Sequence, residues 1–122
     1  MATKFYSAVQ AASKTKREKA RKYYYAANIW KGKVVIVPKA ITKSKAIARV
    51  KKNQSVYSFS STLARKIITQ SGCFYYPTGS RGEIDLNRRK GNVYLYHYHK
   101  GTNNGHAYHN GFHSFYGAPV IG

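Results

Sequence analysis

Apolar positions near the start of the chain recur at three- and four-residue spacing: Phe5, Val9 and Ala12, then Ala20, Tyr24, Ala27 and Trp30. That period predicts helix over residues 4–30. Gly32 and Lys33 then lead into Val34-Val35-Ile36-Val37, a short apolar run that reads as a buried strand stopped by Pro38. Ile41 to Val50 returns to helical spacing, with Ile41, Ala46, Ile47 and Val50 on one side and Thr42 or Ser44 available as cap. Val56-Tyr57-Ser58-Phe59 predicts a strand. Ser60 follows as N-cap of a helix through Ser71, whose buried stripe is Leu63, Ile67 and Ile68 and whose stop is Gly72.

Pro77 to Gly82 reads as a loop, Gly82 to Leu86 as a short strand or extended arm, and Asn87 to Gly91 as a basic turn. Asn92 to Tyr116 then holds two aromatic, β-prone runs around the Gly/Asn-rich connection Gly101 to Gly105, the signature of a hairpin. The expected assembly is α+β: a small antiparallel sheet of three to five strands dominated by this hairpin, with two or three helices packed on one face. With 122 residues and neither an internal repeat nor a low-complexity linker, the chain reads as one domain over 1–122, a basic helix at 4–30 preceding a core at 33–117.

Charge narrows the partners. Lys and Arg total 22 against three acids, Glu18, Glu83 and Asp85, a formal charge of +19. Such a field concentrates polyanions, so nucleic acid ranks first as partner and an acidic protein second. A membrane ranks last, because no stretch approaches the roughly 20 apolar residues of a span and no strongly apolar helix faces the basic runs. Lys14 to Lys22 and the group Lys39, Lys43, Lys45, Arg49, Lys51 and Lys52 are either phosphate-facing or simply solvated. The single cysteine, Cys73, allows neither an intrachain disulfide nor a CxxC knuckle. Met1 to Phe5 lacks the apolar core of a signal peptide, so export is expected by another route or as the tail of a larger polypeptide.

All five histidines, His97, His99, His106, His109 and His113, fall within seventeen residues of the hairpin. Residues two apart on a strand share a face, which sets His97 and His99 together with Leu95 and Val93; a return strand in one phase adds His109 and His113. An imidazole, with an ordinary pKa of about 6.5, can hold a proton while its neighbour lacks one, as acid/base cleavage of a phosphodiester requires. The leading expectation is therefore a metal-independent ribonuclease. In it His97, His99 and His113 act as acid and base, and Glu83 orients or protonates one of them. Arg88, Arg89, Lys90 and Lys100 neutralise phosphate, and Tyr96 and Tyr98, with Tyr94, Tyr108 and Tyr116 as further candidates, stack bases.

Two rivals stand beside it. The three histidines could instead ligate a divalent metal, with Glu83 and Asp85 just upstream, giving a metal-dependent DNase. Alternatively the imidazoles are structural fillers of a Tyr-rich strand pair, in a nucleic-acid-binding protein without catalysis. Glu83 could equally be an ion-pair partner of Arg81 or Arg88. No Walker loop, Ser/His/Asp spacing or HExxH occurs, which excludes those ATPase, esterase and zincin designs.

Three pieces carry a resemblance: Ile41 to Val50, Val56 to Ile67, and Gly82-Glu83-Ile84-Asp85 with Tyr96-His97-Tyr98-His99 and His113-Ser114-Phe115-Tyr116-Gly117. Spanning Val34 to Gly117, they resemble the C-terminal toxin domains of bacterial polymorphic toxins, short nuclease-type domains at the end of a secreted carrier. The resemblance implies Glu83, His97, His99 and His113 as the site, with His106 and His109 as extras at a hairpin tip. It further implies delivery into a target cell, an acidic cognate immunity protein, and a monomer when free.

Overall fold

Two side-chain caps begin the helices that frame the core. The Lys45 amide donates to Thr42 Oγ1 at 3.2 Å and opens α3 (Lys43–Lys51), and the Leu63 amide donates to Ser60 Oγ at 3.1 Å and opens α4 (Ser61–Gln70). Each oxygen satisfies an amide that the first helical turn leaves without an intrahelical partner. Both helices lie where their apolar spacing predicts them, with Ala46, Val50, Ala64, Ile67 and Ile68 fully buried. The computed structural model describes residues 2–31, 33–85, 88–90 and 92–121. Gly32, Leu86, Asn87 and Gly91, which figure in the expected turns and arm, lie outside the described residues.

The protein is α+β. Besides α3 and α4 it contains α1 (Ala2–Ala11) and α2 (Lys14–Ala20), with strands β1 (Tyr24–Trp30), β2 (Lys33–Ile41), β3 (Val56–Ser58), β4 (Phe74–Tyr76), β5 (Val93–Gly101) and β6 (Ser114–Ile121). The six strands form one open sheet in the order β2-β1-β3-β6-β5-β4. Every neighbouring pair is antiparallel except β3 and β6, which run parallel with Tyr57 beside Phe115.

The expected helix over 4–30 is corrected at its second half, because residues 24–30 form β1. Strand β1 is interior to the sheet, so Tyr24 is buried on one face and Tyr25 on the other. A strand covered on both faces loses its apolar/polar alternation, and the spacing that remained imitated a helix. β2 also runs through Pro38 rather than ending there. β2 is an edge strand, and its pairing with β1 skips between Tyr25/Ala40 and Ala27/Ile36, which leaves room for a residue without an N–H.

Helices cover both faces of the sheet, not one. Tyr24, Val56 and Tyr98 point into a core with α3 and α4, whereas Tyr25, Tyr57, Leu95 and Phe115 point to the other side, against Phe5 of α1. The second face continues from Leu95 and Phe115 into the histidines. β6 departs from regular pairing between Tyr94/Val120 and Tyr96/Tyr116, where Gly117 takes φ +77°. The irregularity releases the Gly117 carbonyl, and the Tyr57 hydroxyl donates to it at 2.7 Å.

Candidate functional site

Strand phase brings three of the five histidines together. His97 and His99 are two apart on β5, and His113 immediately precedes β6, the neighbouring strand. The ring centroids are 4.9 Å apart for His97/His99, 4.9 Å for His97/His113 and 5.0 Å for His99/His113. One ligand-capable atom from each ring lies within 4.8 Å of the others. His113 is held there by β3, since its amide donates to Ser55 Oγ at 3.0 Å and its carbonyl accepts from the Val56 amide at 3.2 Å.

The return strand begins later than expected. Residues 102–113 are mostly loop, with Gly105 at φ +80° and Gly111 at φ +82° breaking the extended run. After Gly111 the chain drops fully buried Phe112 into the helix-side core and turns His113 to the opposite side. His109, expected on the same strand face as His113, is an exposed loop residue whose ring lies 6.4 Å from His99. His106 is likewise exposed in the loop.

Burial sets the charge of the trio. His113 is pushed down to about 4, first by burial and then by His97 and His99 beside it. Burial also lowers His97, partly opposed by the Leu95 carbonyl, and lowers His99, partly opposed by the negative charge of Glu83. Three neutral imidazoles are the expected state at pH 7. Burial thus disfavours a standing imidazolium at the trio at neutral pH and leaves each ring a lone pair to offer.

The same shifts carry a pH prediction. A group whose folded pKa lies below its unfolded value binds more protons when unfolded, so stability falls as pH drops through that window. With only three carboxyl side chains in the protein, the histidines dominate titration between about 6.5 and 4. The urea midpoint of chelator-treated protein should decrease steadily over that range, and His113→Gln should flatten the decrease. A midpoint that holds or rises on acidification contradicts the assignment.

Both acids expected near the hairpin are present. Glu83 pairs with His97 through reciprocal backbone hydrogen bonds of 2.8 Å, extending the sheet beside β5. Asp85 shares with His97 and His113 a cleft of about 240 Å³, walled by Ile29, Val34, Val93, Leu95 and Phe115. Its charge acts on all three imidazoles, that of Glu83 on His99. Asp85 thus joins Glu83 at the site. The wall contributed by Ile29 was hidden in the sequence because β1 carried a helical spacing, whereas Val34 lies in β2, where a strand was expected.

Gly82 makes the approach of the acids possible. A Cβ on it would overlap the His97 carbonyl oxygen and lie 2.9 Å from its carbon. Both obstacles are backbone, so Gly82→Ala should peel this segment from β5, lower stability by about 1–3 kcal/mol and withdraw Asp85 from the cleft. Denaturant titration checks the first effect; an unchanged midpoint contradicts it.

The expected nucleic-acid contacts divide. Arg88, Arg89 and Lys90 are exposed, with the Arg88 guanidinium donating to the Asp85 carbonyl at 3.2 Å and the Arg89 amide to the Tyr94 hydroxyl at 2.8 Å. Tyr98 and Lys100 are corrected. Tyr98 is fully buried, bonded to Ser61 Oγ and the Gly79 carbonyl, and Lys100 Nζ donates to Asn53 Oδ1 at 2.7 Å while lying over Phe112. Neither can meet a substrate without unfolding the helix-side core. Tyr96 is half-buried in the same strand phase as Tyr98, hydrogen-bonded by Arg81, whose guanidinium lies 5.1 Å from its ring centre.

Comparison with protein families, with characterised proteins and with solved structures gives no match to this chain.

Proposed function

We propose that this protein is a nuclease, with RNA as preferred substrate, and that His97, His99 and His113 carry the cleavage. The observation behind the reading is the convergence of three imidazoles, two of which line an open cleft, in a protein with charge +19. Nonspecific attraction supplies the polyanion, and Arg88, Arg89 and Lys90 beside the cleft supply phosphate contacts. RNA carries its own nucleophile, the 2′-hydroxyl. A proton acceptor at the trio takes the 2′-OH proton, the 2′-oxygen bonds to phosphorus, the P–O5′ bond breaks, and the same proton passes to O5′. Glu83 and Asp85 stabilise the positive charge that forms meanwhile.

As a delivered bacterial toxin, such an enzyme would require an acidic immunity protein in its producer, and the basic surface is suited to one. The test is incubation of the protein with a labelled single-stranded RNA and a DNA of the same sequence. Strand scission of the RNA, leaving a 2′,3′-cyclic phosphate, is the expected result. Binding of both polymers without scission of either would support the non-catalytic reading, and scission of DNA at an equal rate would remove the role of the 2′-hydroxyl.

A further inference from the structure

With 22 Lys and Arg available for phosphate, three clustered imidazoles add little to anion binding. What they add is nitrogen lone pairs aimed at a common point. We infer that His97, His99 and His113 bind one divalent first-row transition ion of the zinc type, leaving a fourth position for water. The inference rests on the nuclease reading only for the use of the ion, not for its binding.

Spacing comes first. Tetrahedral zinc with Zn–N bonds of about 2.0–2.1 Å places its nitrogens about 3.4 Å apart. The three donor atoms already lie within 4.8 Å, and ring rotation about the side-chain torsions can close that difference without moving either strand. Orientation comes second. Metal-bound histidines commonly give their other ring N–H to a carbonyl or carboxylate, which fixes the ring and turns the remaining lone pair inward. His97 Nδ1 donates to the Leu95 carbonyl at 3.2 Å, and the Phe112 carbonyl lies beside His99.

A third observation is independent of both. His113 Nδ1 is buried with no hydrogen-bond partner, and native interiors rarely leave such an atom unsatisfied. Coordination, or the ring rotation that accompanies it, gives the atom a partner. Three neutral nitrogen donors favour Zn²⁺, Co²⁺, Ni²⁺ or Cu²⁺ over Mg²⁺ and Ca²⁺, which prefer oxygen. Such an ion would supply the proton acceptor near neutral pH by lowering the pKa of a bound water, so that the 2′-OH proton would pass to it and on to O5′.

The experiment uses the whole protein, stripped with a chelator and dialysed, titrated with Zn²⁺ by calorimetry and with Co²⁺ by visible absorption. The expected result is one ion per chain, with tetrahedral Co²⁺ bands and a rise in melting temperature of several degrees. His99→Ala and His113→Gln should each weaken binding at least 100-fold, while His106→Ala/His109→Ala leaves it unchanged. Circular dichroism and metal-free melting of each variant separate lost ligation from lost folding. Absence of saturable binding, or binding that follows His106 and His109, overturns the inference. Full RNA cleavage in excess chelator overturns the ion's use in cleavage and leaves the nuclease reading intact; a tightly bound ion with no cleavage of any polymer would sink that reading and keep this one.

Discussion

His99→Ala is expected to lower RNA cleavage by about 10²–10⁴-fold, the range for loss of a positioned proton-transfer group, with little change in RNA affinity. His99 is half-buried, its centroid 4.9 Å from His97 and 5.0 Å from His113, so truncation opens the cluster without emptying the core. His109→Ala is the matched control, since that exposed loop ring lies 6.4 Å from His99. Initial rates on a fluorescent oligonucleotide, measured beside binding by anisotropy, separate chemistry from affinity. Equal losses for the two variants, or a parallel loss of affinity in His99→Ala, contradict the role given to the trio.

Tyr57→Ala should be the most damaging single change to stability, at about 3–5 kcal/mol, the range for removing a large buried ring. Tyr57 is completely buried on the short interior strand β3 and packs against Phe5, Tyr25 and Phe59. It also joins distant elements, since Phe5 belongs to α1 and its hydroxyl holds the Gly117 carbonyl of β6. Burial, with the neighbouring Tyr6 and Tyr25 hydroxyls adding to it, raises the Tyr57 phenol well above its usual range, so it stays a donor at any working pH. Against a total stability of about 5–15 kcal/mol, the alanine variant should be largely unfolded by mild urea. Tyr57→Phe keeps the ring and leaves Gly117 without a donor, at about 1–3 kcal/mol. Urea titrations of both variants check the order; a phenylalanine variant as unstable as the alanine one would show that the ring packing has been overvalued.

What could be read without coordinates was local. Thr42 and Ser60 cap the helices their positions suggest, Ile67 and Ile68 face the core, and the two-residue period puts His97 beside His99. The convergence of His113 with that pair also follows from strand phase, although His113 precedes β6 and does not lie within it. The parallel pairing of β3 with β6 joins Val56 to Ser114 across nearly half the chain, and no local pattern encodes it. The same pairing decides which side of β5 is covered. Tyr98 and Lys100, expected at the site with His97 and His99, alternate with them along β5 and so fall on the opposite face, which meets α4 and Phe112 instead of solvent. β1 was misread because burial on both sides erased its alternation.

The account turns on whether the three converged imidazoles cut the polymer that the basic surface gathers. The most direct measurement is a single-turnover assay of His97→Gln/His99→Gln/His113→Gln beside the unaltered protein, both shown folded, on one end-labelled RNA across a salt series. The account predicts wild-type affinity and salt dependence with no detectable cleavage by the triple variant. Cleavage at the unaltered rate, or loss of RNA binding while the fold is retained, would contradict it.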